Sequence, residues 1–304
     1  METPKEKSYA CLSNFILKII AFTTMTFDHV GALLQTIIGE NYWLAVSFRY
    51  VGRLALPLFC FMIAEGVIHS KKPSKYFLRL GIMASIISVA LYVLVGVINK
   101  LPSVNGSIGF LRNQGNIFID LLLGAVAVYA LMNKKWYIKL LALLPFLYGV
   151  TAFIVTGYEC AEAPVLIHWF PYFLRPQYHF YSIGMIILFY LIRYFADMFI
   201  TRHSENSGIP VESIKGTNFE RYTLNIMSAG VVVTWTLLLF VLSLSIPSDW
   251  VFWLAGLQNT AILSGAFLLL YSGKRGYNAK WFQYGSYLYY PLHLLVIFGI
   301  GLLF

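Results

Sequence analysis

The sequence predicts an all-α fold: a polytopic membrane bundle of about nine transmembrane helices (eight and ten are the alternatives), forming one domain over 1–304. Three observations predict it. Hydrophobic residues make up 59% of the chain and mean hydropathy is +0.71. Charged residues make up 12%, about half the share usual in a soluble domain. Apolar runs of ~20 residues, the length that carries a helix across a bilayer, recur from end to end.

The first run covers roughly 13–34. It is too long for the core of a signal peptide and has no small-residue cleavage site, so it is expected to be a span. Further helices are expected at about 49–69, 79–98, 116–132, 138–157, 180–200, 223–245, 250–271 and 283–304. Two connections are longer. The aromatic, Pro-containing 158–180 reads as an interfacial or re-entrant segment, and the polar 201–221 as a loop punctuated by Gly and Pro. With the N-terminus inside, inner segments hold fifteen Lys and Arg and outer segments five, so a cytoplasmic N-terminus is expected. The net charge of +9 lies in short loops between spans, which is a topology signal and not a nucleic-acid one. Cys11, Cys60 and Cys160 are widely separated, with no metal-ligand or disulfide spacing.

Ionisable groups within spans cost roughly 2.5–3.5 kcal/mol each at mid-helix and usually face a bundle interior. Asp28 and His29 sit side by side in the first helix. Arg49 and Arg53, Glu65 and His69, and Asn116 and Asp120 are each four apart, hence on one helix face. His293 shares a polar stripe with Tyr289 and Tyr290, next to Pro291, which is expected to open the last helix locally. An Asp beside a His can hold the imidazole in one tautomer as a general base. Adjacent helix positions point about 100° apart. Asp28 therefore either supports His29 or pairs with Arg49 or Arg53. The bland alternative is that these charges only weld helices together.

Two basic segments, "HSKKPSKYFLRL" (69–80) and "YSGKRGYNAKW" (271–281), lie at the same inner edge. Cations neutralise phosphates, glycines let backbone N–H groups approach an anion, and a tyrosine can stack on an adenine. Ordinary positive-inside loops would look similar.

"LKIIAFTTMTFDHVGALL", "FRYVGRLALPLFCFMIAEGVIHSKKPSKYFLRL", "NIFIDLLLG" and "YSGKRGYNAKWFQYGSYLYYPLHLL" resemble, in order, the blocks of the TraX family. The combination of DH, GR-x-x-x-P, EG-x-x-H, NI and YPLH carries the resemblance. One departure is "YSGKRG", where the family more often has Asn at the second position. The family's best-known role is N-terminal acetylation of conjugative pilin. Its wider group of membrane-embedded acyltransferases includes the lysosomal heparan-sulfate acetyltransferase.

The resemblance implies a transmembrane acyltransferase of a bacterial cytoplasmic membrane, with acetyl-CoA as donor substrate and no metal. It implies an amine or hydroxyl acceptor, a protein N-terminus or an envelope glycan. His29 is then expected as general base or transient acyl carrier, with Asp28 in support. Arg53 or Asn116 would polarise the carbonyl, and His293 with Tyr290 would close the site. Lys274 and Arg275, followed by Lys72, Lys75 and Arg79, are expected to hold the nucleotide. Arg49, Glu65, His69 and Asp120 are expected to be structural or supporting. From the inner boundary to His29 is roughly 15–25 Å, within reach of an extended pantetheine. A proton-coupled transporter of a small polar solute is the rival from another class. It accounts for the buried charges but not for the absence of a sequence repeat. A non-catalytic membrane scaffold for envelope or pilus assembly would account for the hydrophobicity but not for the number of those charges.

Overall fold

Ser13 opens the first helix, its hydroxyl accepting from the Ile16 amide at 3.4 Å, and Gly39 at φ 130° ends it. This local chemistry recurs through a computed structural model that describes residues 9–100, 115–161, 169–245 and 257–301. Helices dominate: α1 (Asn14–Ile38), α2 (Trp43–Gly52), α3 (Ala55–Ile68), α4 (Pro73–Lys100), α5 (Ile117–Leu131) and α6 (Trp136–Leu140). There follow α7 (Leu143–Ala161), α8 (His179–Ser207), α9 (Val211–Ile214), α10 (Asn218–Ser243), α11 (Ser264–Leu269) and α12 (Lys280–Gly301). Among the described residues no named strand occurs, and the fold is the expected polytopic helical bundle.

Among the described residues, six segments are long and apolar enough to cross a membrane: 14–38, 43–68, 73–94, 136–159, 172–207 and 218–243. The other three expected passes fall elsewhere. α5 is short, 257–269 is split into a 3-10 turn and α11, and α12 carries Pro291 inside it. α12 runs through Pro291 as one helix, so the expected local opening does not occur. The second expected helix starts earlier than 49 and is broken. Pro57 cannot donate to the carbonyl of Arg53, and Arg53 and Leu54 instead bond back three residues, to Tyr50 and Val51. This splits the span into α2 and α3 and turns Arg53 inward. In the 158–180 connection, residues 162–168 lie outside the described residues. The remainder holds a short 3-10 turn, Tyr172–Leu174, against α4.

α3 is the central helix, buried on nearly every face and packed on α1, α5 and α8. Polarity is inverted outside: Leu78, Ile82, Ile86, Val89 and Val93 form an exposed apolar stripe along α4, as a lipid-facing helix requires. At the basic end the segment before α1 is tied to the segment after α11. Leu12 N donates to Leu270 O and Ser272 N to Leu12 O, each at 2.8 Å, and Leu12 and Tyr271 form a parallel bridge. The tie docks the 271–276 loop beside α1, at the open end of the space between α1, α4 and α12.

Candidate active site

Two glycines bring the first pair of helices together. A Cβ on Gly31 would fall 2.8 Å from Ala45 O, and one on Gly52 only 2.2 Å from Asp28 Cβ. With no side chain at Gly52, Asp28 lies directly against α2. Its carboxylate pairs with Arg49 at 3.0 Å and with Arg53 at 3.3 Å, all three side chains at most 21% exposed. Arg53 also donates to Tyr178 Oη at 3.5 Å. The alternative left open above is thereby resolved: Asp28 serves the arginines. Two guanidiniums against one carboxylate leave a surplus positive charge next to His29. Among the described residues the buried Nε atoms of Arg49 and Arg53 have no hydrogen-bond partner.

His29 is oriented by another histidine. Its Nδ1 lies 2.7 Å from Nε2 of His293, whose own Nδ1 lies 2.8 Å from the carbonyl oxygen of Tyr289. A carbonyl can only accept, so Nδ1 of His293 carries the proton. In the neutral ring its Nε2 then only accepts, so His29 donates from Nδ1. The lone pair of His29 is left on Nε2. Next to this pair, Thr26 and Tyr289 share a 2.6 Å hydroxyl contact, which fixes the register of α12 against α1.

A cavity of about 680 Å³ runs from the basic end to Tyr290, the residue packed against the pair. Its mouth carries Lys18, Lys71, Arg79 and Arg275, and its apolar throat is made by Phe22, Phe59, Met62 and Phe118. Tyr290 forms the inner wall, edge-on to Phe118 and His293 with ring centroids 5.5 Å away in each case, and to His29 at 6.1 Å. Two facing stripes define the passage. On α1, Phe15, Lys18, Phe22 and Met25 lead at helical spacing to His29. On α12, Gln283, Tyr287 and Tyr290 lead to His293.

Of the residues expected at the nucleotide, Arg79 and Arg275 line this cavity, while Lys72, Lys75 and Lys274 are exposed outside it; Tyr290, expected to close the site, lines its inner end. The reason is local geometry. Tyr76, Arg79 and Leu80 form the inward face of α4; Lys75 is one position off that face and Lys72 precedes the helix. In the docked loop the carbonyls of Lys274 and Arg275 accept from Asn14 and Phe15 at 2.8 and 3.0 Å, and of the two side chains only that of Arg275 lines the cavity. Lys18 and Lys71 take the places expected for lysines farther along. Lys18 was legible as the one cation in phase with His29 on α1.

Glu65 and His69 also reach the mouth. Glu65 is ion-paired with Arg193 of α8, and His69 donates from Nδ1 to the Glu65 carbonyl at 2.9 Å. The Glu65–Arg193 pair ties α3 to α8, and His69 packs on Glu65.

Asn116 does not join the catalytic group. Its Oδ1 caps α5 by accepting from Phe118 N at 3.0 Å, and its Nδ2 donates to Ala84 O at 2.7 Å and Ser88 Oγ at 2.9 Å. Both amide hydrogens are thus committed, and none remains for a substrate carbonyl. Asp120 is fully buried and accepts from the amides of Gln177 (2.5 Å) and Tyr178 (2.9 Å) and from the Ser182 hydroxyl. It holds the start of α8, and with it the Tyr178 side chain that meets Arg53.

Sequence reasoning missed the buried pair Arg175–Glu159, joined by two bonds of 2.6 and 2.8 Å. Arg175 also donates to Phe170 O at 2.7 Å and lies over the Tyr172 ring, pinning the 169–175 turn to α7.

No solved structure matches this chain. A curated protein of Dichelobacter nodosus, probable fimbrial assembly protein FimC of serogroup H1, is 34% identical over 122 residues. That stretch covers 40% of this chain and 46% of the relative, so the chain spans about half the length of the curated relative it matches. The match to the family described as TraX protein runs over residues 13–203, from the mouth of α1 through Asp28, His29, Arg53 and Arg193. Over that stretch the site just described is family sequence, and the chain belongs to the TraX family.

Proposed function

We propose that this protein is a membrane-embedded acyltransferase that moves an acetyl or other short acyl group from a CoA thioester to an amine or hydroxyl. One observation carries the reading: a cavity runs from a mouth of four cations to Tyr290, whose ring packs edge-on against both members of the His29–His293 pair. Phosphates of the donor would sit at Lys18, Lys71, Arg79 and Arg275, on the cytosolic side. The pantetheine arm would follow the apolar throat and bring the thioester to Tyr290. Along α1, Phe15 and His29 are fourteen residues apart, ~21 Å at the helical rise.

In the transfer, the acceptor nitrogen or oxygen attacks the thioester carbonyl while Nε2 of His29 takes its proton. The surplus charge of Arg49 and Arg53 stabilises the oxyanion. The C–S bond then breaks, and the thiolate takes the proton back from His29 and leaves as free thiol. His293 holds the tautomer throughout. Burial in the bundle keeps water from competing for the acyl group.

The relative's name points to a fimbrial subunit as one acceptor; an envelope glycan is the other, met from the far side of a bacterial cytoplasmic membrane. The chain of hydrogen bonds ends on a backbone carbonyl, which cannot pass a proton onward, so the arrangement suits a fixed base better than a transport relay.

Calorimetry of the detergent-purified protein with acetyl-CoA tests the reading. Micromolar binding, weakened at least tenfold in Lys71→Ala/Arg275→Ala, is expected. No binding at millimolar acetyl-CoA would remove CoA from the proposal.

A further inference from the structure

Beside the cations, the cavity mouth carries three aromatic rings and a pair of side-chain amides that the transfer chemistry does not use. Phe15, Tyr277 and Phe282 all line the cavity. Their centroids lie 5.4 Å apart for Phe15–Tyr277, 4.8 Å for Phe15–Phe282 and 6.2 Å for Tyr277–Phe282. Lys18 Nζ sits 5.5 Å from the Phe282 centroid. Tyr277 is half exposed, and its hydroxyl accepts from Trp281 Nε1 at 2.7 Å, which fixes the ring.

An aromatic belt at the membrane interface is the ordinary explanation for such residues. Trp281 fits it: the indole is 69% exposed and does not line the cavity. The other three rings face the cavity. Next to them Gln283 Nε2 donates to Asn278 Oδ1 at 2.8 Å and to Asn278 O at 3.1 Å. Among the described residues this leaves Asn278 Nδ2 and Gln283 Oε1 free, one donor and one acceptor, on two residues that line the cavity. Adenine offers the matching edge, an exocyclic amine that donates and a ring nitrogen that accepts, and Asn and Gln are its usual partners.

We propose that Tyr277, with Phe15 and Phe282, and the Asn278–Gln283 amide pair form a purine subsite. The donor class is then a free nucleotide-bearing thioester, acyl-CoA, in preference to a phosphopantetheine thioester without a base, such as one carried on a protein. The inference rests on the acyl-CoA reading above and refines which part of the donor is recognised.

The test compares dissociation constants of acetyl-CoA and acetyl-phosphopantetheine, for the full-length protein and for Tyr277→Ala and Gln283→Leu. A stacked base contributes roughly five- to hundredfold to binding. The subsite predicts that each variant weakens acetyl-CoA by that order and leaves acetyl-phosphopantetheine unchanged; the second ligand also reports whether the variants fold. If acetyl-CoA binds wild type and both variants equally, or if both ligands weaken together, the purine subsite is wrong while the donor reading stands. If neither ligand binds wild type, both fall.

Discussion

Replacing Asp28 with Asn keeps the shape of the side chain and removes the charge that holds two arginines. At 3.0 and 3.3 Å, each contact carries about 5 kcal/mol of gross Coulomb attraction at an effective dielectric of 20. Desolvation offsets much of that in the native state. In the variant the attraction is lost while both guanidiniums stay buried, so the net cost follows the rule for breaking a buried pair, about 3–5 kcal/mol. Adding Arg49→Gln removes one of the two stranded charges and returns the cluster to its native net charge, so at least half of the loss should come back. Unfolding in SDS of the purified protein, for wild type, Asp28→Asn and Asp28→Asn/Arg49→Gln, gives the three free energies. An Asp28→Asn loss below about 1 kcal/mol, or a double variant no better than the single, would refute the claim that Asp28 is committed to the arginines.

Gly52→Val should cost at least about 2 kcal/mol in the same assay, because its Cβ would fall 2.2 Å from Asp28 Cβ. Gly81→Ala, with nothing within 4 Å of the added carbon, should be neutral or slightly stabilising. Asn116→Ala should lose about 1–3 kcal/mol of stability as a lost cap with lost buried bonds. It should leave the acyl-transfer rate of the folded fraction unchanged; a selective loss of rate would return Asn116 to the catalytic group.

The helices were legible because apolar length is a local property, whereas the break before Pro57, also a local effect, went unread in the single helix expected over 49–69. Asn116 shows the limit of that reading. Its place just before the apolar 117–131 run is a capping signal, yet the NI motif of the family resemblance drew it into the active site instead. The Asp28–His29 pair was legible as a site and illegible as a circuit. Neighbours on a helix diverge, and their partners came from α2 and α12, the latter 264 positions away. Basic loops marked the correct end of the bundle, but which cations face the cavity depends on helix phase and on how the 271–276 loop docks. That is why Lys18 and Lys71 replaced Lys72, Lys75 and Lys274. Arg175 and Glu159 meet through an irregular turn, where no periodicity relates sequence distance to contact.

The most direct test of the central claim, that Nε2 of His29 is the base for acyl transfer, follows labelled acetyl from acetyl-CoA to envelope material in inverted membrane vesicles. Wild type, His29→Gln and His293→Gln are compared at equal expression, with acetyl-CoA affinity measured alongside. A fall of roughly 10²–10⁴-fold in His29→Gln with unchanged donor affinity is the predicted result, with a smaller fall in His293→Gln, which loses only the group that sets the tautomer. Transfer at the wild-type rate in His29→Gln, or no transfer by wild type, would contradict it.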